Sequence, residues 1–330
     1  LTVNPLPASI TGVTSVCVGS TTTLSDASTG GSWTSSNTSL AMIGSSTGIA
    51  GGMSAGTPTI TYTLPTGCIA TTALTVNPLP ASITGIMTVC EGLTTNLSDA
   101  SSGGTWTSSN TALAMIGSST GTVTGVSAGT PTMTYTLPTG CITTSTVTVY
   151  PSPAAISGST TVCVGLTTTL TNGVSGGTWT SSNVGLATIG STSGLVSGIA
   201  VGNPTITYTL PAPGGCYTTR VESVNPQPVS ITGTFTVCEG ATTNLSDAST
   251  GGSWSSANVG IATVGSASGT VTGVSAGNVT ITYTLPAGCF VTTTITVHPT
   301  PAIITGTPTV CVGLTTALAD ASTGGTWTSS

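Results

Sequence analysis

Nine cysteines are the residues best placed to do chemistry in this chain of 330 residues, and their spacing narrows what that chemistry is. They recur in two phases: Cys17, Cys90, Cys163, Cys238 and Cys311 in one, Cys68, Cys141, Cys216 and Cys289 in the other. A zinc site gathers Cys-x-x-Cys or Cys/His clusters, whereas here the nearest two, Cys68 and Cys90, stand 22 positions apart. Metal ligation is therefore not expected. Regular cysteines in a chain with almost no charge point instead to disulfides and an oxidising compartment.

The other reactive groups are sparse. Asp, Glu, Lys and Arg make up 2% of the sequence, Arg220 is the only cation and His298 the only histidine. An ordinary soluble domain carries about 25% of such residues. Asp26, Asp99, Asp247 and Asp320 occupy equivalent turns, with Asn172 in the same place in one repeat. One isolated carboxylate per repeat cannot form an acid and base pair, so the expected role is to accept backbone hydrogen bonds within its turn. With a single histidine no catalytic triad can be built in every repeat, and neither catalysis nor a cofactor is expected. The proline linkers NPLP, YPSP, NPQP and HPTP hold no carboxylate for calcium.

A net charge of -6 makes nucleic acid and anionic membranes poor partners. No apolar run approaches the roughly 18 residues of a spanning helix. The start, LTVNPLP, lacks the charged and apolar segments of a secretion signal. Asn37, Asn96, Asn244 and Asn278 begin Asn-x-Ser/Thr triplets, but only Asn96 and Asn244 are equivalent, so these read as accidental. Glycan, if present, is expected as O-linked sugar on the abundant Ser and Thr faces.

The elements that position these residues come from a repeat. LTVNPLPASITG begins at Leu1 and again at Leu74, and the prolines of this linker recur at Pro5, Pro78, Pro151, Pro226 and Pro299. The division is residues 1–4, the end of a preceding repeat; four repeats, 5–77, 78–150, 151–225 and 226–298; and a partial fifth, 299–330. The third gains two residues in PAPGGC where its neighbours read LPTGC or LPAGC, which places the insertion in a turn. The arbitrary phase at both ends fits a segment of a longer, continuous object.

Within a repeat, TITYTL alternates Thr59, Thr61 and Thr63 with Ile60, Tyr62 and Leu64, the period of a half-buried strand. Similar short runs, joined by Gly, Pro, Ser or Asn, predict seven or eight strands and no helix. The fold class is all-β, an array of antiparallel sandwiches. One tryptophan and one tyrosine per repeat supply the bulk of each core: Trp33, Trp106, Trp179 and Trp254 with Tyr62, Tyr135, Tyr208 and Tyr283.

The ordered set VGSTTTL, GGTWTSSN, LATIG and SGLVSGIAVGNPTITYTL, with a closing strand ending TVNP, resembles the bacterial immunoglobulin-like domains of group 2. The paired cysteines are similar to those of immunoglobulin-like repeats in secreted Bacteroidetes proteins. This resemblance implies tandem immunoglobulin-like sandwiches in a linear array, at a bacterial cell surface or outside it, with a spacer or adhesive role. The expected function is an extracellular filament or surface rod whose partners are its own neighbouring repeats and other copies. The alternative is the stalk of an adhesin.

In such a sandwich Cys17 precedes the first turn and Cys68 follows the last, at opposite poles. A disulfide spans only about 4.4 to 6.8 Å between α-carbons. Pairing between neighbours is favoured: Cys17 with Cys141, Cys90 with Cys216, and Cys163 with Cys289. Cys68, Cys238 and Cys311 would then have partners elsewhere or stay free. The bond within a repeat, such as Cys17 with Cys68, remains open. Pairing between neighbours would also bring Arg220 toward Glu91.

Overall fold

A computed structural model describes residues 2–329, and they form two compact units. One comprises Leu1–Pro153 with Leu210–Tyr217, the other Ala154–Thr209 with Thr218–Ser330. The first holds repeats one and two together with the final hairpin loop of repeat three.

Repeat one shows how the sequence makes a sandwich. Its strands are β1 (Thr11–Gly12), β2 (Ser15–Cys17), β3 (Thr21–Ser25), β4 (Ser32–Ser35), β5 (Ala41–Ile43), β6 (Ile49–Gly52), β7 (Thr59–Thr63), β8 (Ile69–Ala73) and β9 (Thr75–Asn77). One sheet has the order β1-β3-β6-β5, and the facing layer consists of β4-β7-β8 and the pair β2-β9. In repeat four the last strand runs unbroken over Phe290–His298, and that layer becomes one four-stranded sheet. Each complete domain is an immunoglobulin-like sandwich, and no helix occurs among the described residues.

Nine strand segments replace the seven or eight predicted, for two reasons. The first run splits, since β1 joins β3 while β2 crosses to the other layer. The closing run is interrupted at Leu74, because Pro58, opposite it in the ladder, accepts the Leu74 N–H but has no N–H to give back, whereas Val279 holds that place in repeat four and the strand there is unbroken. Parallel pairing also enters the antiparallel sandwich beside Cys17. β2 and β9 are parallel, Cys17 lying opposite Asn77.

Period-two alternation sends Ile60 and Tyr62 inward from β7, where they meet Val16, Leu24, Trp33, Ala41, Ala50, Leu74 and Val76. Burying a large apolar side chain of this kind contributes about 1.5–3 kcal/mol. Glycine is required where the aromatic core meets a turn. Gly48 has φ +69°, and a Cβ there would strike the Leu24 carbonyl.

Repeat three, mostly in the second unit, departs from this pattern. Its counterpart of β1 shrinks to a single bridge, Ser157 to Thr171, and its counterpart of β3 to Thr167–Thr169.

Candidate functional site

The candidate site is the set of cysteines at the poles of the sandwiches. Parallel pairing places Cys17 level with Asn77 at the end of β9, while Cys68 immediately precedes β8. About nine residues of extended chain separate those levels, roughly 30 Å. No bond within the repeat can close that distance. In the first unit Cys17 is bonded to Cys141, with α-carbons 5.7 Å apart, and Cys90 to Cys216 at 5.8 Å. In the second unit Cys163 is bonded to Cys289, also at 5.8 Å. Cys68, Cys238 and Cys311 are free.

The surroundings of Cys90 show how a pole is built. Cys90 pairs in register with Tyr150. The Cys216 sulfur lies 4.0 Å from the Tyr150 carbonyl, and the Tyr150 ring lies so close to Gly214 that a Cβ there would stand 2.7 Å from Cγ. Glu91, next to the bonded cysteine, accepts the amides of Ala128 at 2.7 Å and Ser152 at 3.3 Å. The Ser152 hydroxyl donates back to the Glu91 carbonyl at 2.7 Å. Two residues beyond the last strand, the proline linker is thus fixed to the domain it leaves.

Arg220 does not serve Glu91. Its guanidinium pairs with Glu222 at 3.3 Å and donates to the carbonyls of Ile156, Gly158 and Ser159. Strand parity is the cause, because 218, 220 and 222 all face inward. Glu222 is fully buried, in the place held by Leu74, Val147 and Ile295 in the other repeats. Desolvation raises its pKa above the usual carboxylate value, against the lowering effect of Arg220. Glu222 Oε1 and Arg220 Nε have no hydrogen-bond partner in the protein.

Glu222 was missed from sequence although a signal existed: a carboxylate at an otherwise aliphatic position, two residues after the only cation. Glu91 and Glu239 carried another signal. They alternate with Val18, Val164 and Val312, and Glu239 accepts the Ala276 amide at 2.7 Å as Glu91 accepts that of Ala128.

The aromatic residues form one tilted pair per repeat: Trp33 with Tyr62, Trp106 with Tyr135, Trp179 with Tyr208 and Trp254 with Tyr283, ring centroids 4.6 to 4.8 Å apart. All eight are buried. Each tyrosine hydroxyl also holds a turn, Tyr62 donating to Ser28 O at 2.7 Å and accepting from Gly31 N at 2.9 Å. Asp26 Oδ1 accepts the Ser28 amide in the same turn, as Asp99 and Asp247 do in theirs. Among the described residues no three His, Cys, Asp or Glu side chains come together in a cluster able to hold a metal. No helix there is long and apolar enough to cross a membrane.

Residues 87–141, from the first strands of repeat two to its bonded cysteine, match the family model of the bacterial Ig-like domain, group 2. Repeat two is thus matched as a group 2 bacterial Ig-like domain. Repeats one, three and four carry the same strands, tryptophan and tyrosine as the matched segment. No curated protein sequence matches the chain.

Among solved structures, domains 1–6 of the surface layer protein SbsC are similar, at 18% identity and TM-score 0.21 over 93% of this chain and 56% of that one. The chain thus spans little more than half of that structure's length. Invasin, titled a bacterial integrin-binding protein, is similar at 16% identity and TM-score 0.30, over 87% of this chain and 79% of that one. A fragment of intimin bound to its receptor's intimin-binding domain follows at 20% identity and TM-score 0.29, over 47% and 66%.

Proposed function

We propose that these Ig-like domains are structural, forming part of an extracellular filament or cell-surface rod. The observation that carries this reading is the covalent bond from one repeat to its neighbour, Cys17 to Cys141. An isolated binding module has no need to be fastened to the next domain, whereas a continuous array does. Disulfides also persist only in oxidising surroundings, outside the cytoplasm.

On this reading the chain is not an enzyme, and its partners are its own adjacent repeats and further copies in a fibre. The outward hydroxyls suit contact with those copies or O-linked sugar. Thr34, Thr61 and Thr71, for example, align across β4, β7 and β8. A surface this poor in charge relies on such groups to stay hydrated.

Negative-stain microscopy of the native material tests the proposal. Fibres with a regular domain repeat are expected. Discrete short stalks ending in a globular tip would overturn it in favour of an adhesin.

A further inference from the structure

The disulfides change which covalent route through the chain is shortest. Backbone alone takes 124 residues to go from Cys17 to Cys141, and one bond does the same. Another 22 residues lead from Cys141 to Cys163, a second bond reaches Cys289, and 22 more residues reach Cys311. A separate route runs from Cys68 through 22 residues to Cys90, across a bond to Cys216, and through 22 residues to Cys238. The chain therefore contains two interleaved covalent rails. The bodies of the domains, residues 17–68, 90–141, 163–216 and 238–289, each run from one rail to the other as rungs.

The rail segments are already drawn out. Within the first unit, strands Ile69–Ala73, Thr75–Asn77 and Thr88–Cys90 lie along the segment from Cys68 to Cys90, with Pro78 and Pro80 in the linker. A strand advances about 3.3 Å per residue, close to the limit of about 3.3–3.6 Å for a fully extended chain. Under tension the shortest route becomes taut first. The rungs, which hold the Trp–Tyr cores, then carry little of the force.

We propose that the array transmits tension along the disulfide-linked rail through Cys17, Cys141, Cys163 and Cys289, sparing the sandwich bodies from mechanical unfolding. A single backbone cut anywhere between Cys17 and Cys289 then leaves the molecule in one covalent piece, because at least one disulfide spans every such position. The inference goes beyond the structural role proposed above. It rests on the three disulfides and not on where the protein works.

The test is to pull the full oxidised chain by its ends in an optical trap, then repeat the measurement after phosphine reduction. The oxidised route comprises about 80 residues of backbone and extends to roughly 280 Å, against roughly 1,150 Å for the reduced chain. A fourfold difference is expected. An oxidised chain that reaches the reduced contour length overturns the proposal.

A second measurement uses a protease site inserted at Ser118–Ser119, in the turn before Gly121. The cut chain should run as one band without reductant and two with it, and two bands without reductant overturn the proposal. Mapping the same sample for the Cys17–Cys141 peptide shows whether a failure lies in the bonds themselves. An absence of fibres in microscopy would leave this result untouched and affect only the filament reading.

Discussion

Cys17 lies level with Asn77 in the parallel pairing of β2 with β9, and this register puts its sulfur at the end of the domain that faces the next linker. The same register holds in the later repeats, where Cys90 is level with Tyr150 and Cys238 with His298. Unreduced peptide mapping is expected to yield a Cys17–Cys141 peptide and no Cys17–Cys68 peptide. Removing the bond by C17S/C141S frees a loop of more than a hundred residues, worth about 5 kcal/mol on the chain-entropy account. The expected consequence is a lower thermal midpoint for the first unit, read by calorimetry. An unchanged midpoint would contradict it.

The ion pair in repeat three yields a sharper prediction, because the single change and the double change differ in sign. Arg220→Thr installs the residue found at Thr72 and Thr293 but strands a buried carboxylate. It should destabilise the second unit by about 3–5 kcal/mol. Adding Glu222→Leu restores the aliphatic core of repeat one, and the double variant should equal or exceed the wild type by about 1–4 kcal/mol. Urea unfolding measures both. A double variant as weak as the single one would show that the pair stabilises the repeat in its own right.

Acidity probes the same carboxylate independently. Burial raises the Glu222 pKa, so between its unfolded and folded values the native state binds more protons than the unfolded chain. The stability linked to this group is therefore fully present below the unfolded value, near 4.5, and is lost as pH rises through the folded one. Glu222→Gln removes that dependence. The difference in unfolding midpoint between wild type and variant should shift in the variant's favour from mild acid toward neutral pH, and a constant difference would refute the assignment.

Much of this architecture was legible in the sequence because alternation and recurrence report the same facts in every repeat. Ile60 and Tyr62 could be placed in a core from their period alone, and Trp33 from its phase. The interruption at Leu74 was not legible in CIATTALTV, which reads as one strand; it comes from Pro58 across the ladder, which has no N–H to return the bond. Neither was the crossing of β2 to the facing layer, which depends on pairing with residues sixty positions away. Arg220 was misplaced for a simpler reason. The insertion in PAPGGC is two residues long and so preserves parity, which aligns Arg220 with Ser145 and Glu222 with Val147, facing inward. Nearness to Cys216 in sequence carries no information on which way the Arg220 side chain faces.

The tyrosine hydroxyls make a local prediction. Tyr135 accepts the Gly104 amide at 2.9 Å and donates to the Ser101 carbonyl at 2.7 Å, so Tyr135→Phe keeps the ring against Trp106 and leaves both backbone groups unpaired. A loss of about 1–3 kcal/mol is expected. Hydrogen exchange should show the Gly104 amide less protected while the Trp106 ring environment, seen by fluorescence, stays the same. A change in both would mean that the core itself had moved.

Glu91 offers the last test, because the chain supplies its own control at Val18. Glu91→Val makes repeat two resemble repeat one at this position and removes the acceptor of the Ala128 and Ser152 amides, while the Ser152 hydroxyl keeps the Glu91 backbone carbonyl, which any residue provides. Because the carboxylate is partly exposed, water replaces much of what is lost, and a cost of about 1 kcal/mol or less is expected. The discriminating readout is local: faster amide exchange at Ala128 and Ser152, with Cys90 and Cys216 still bonded. Unchanged exchange at both amides would mean that the proline linker is fixed without the carboxylate, and that the alternation of Glu91 and Glu239 with Val18 and Val164 serves some contact outside the domain.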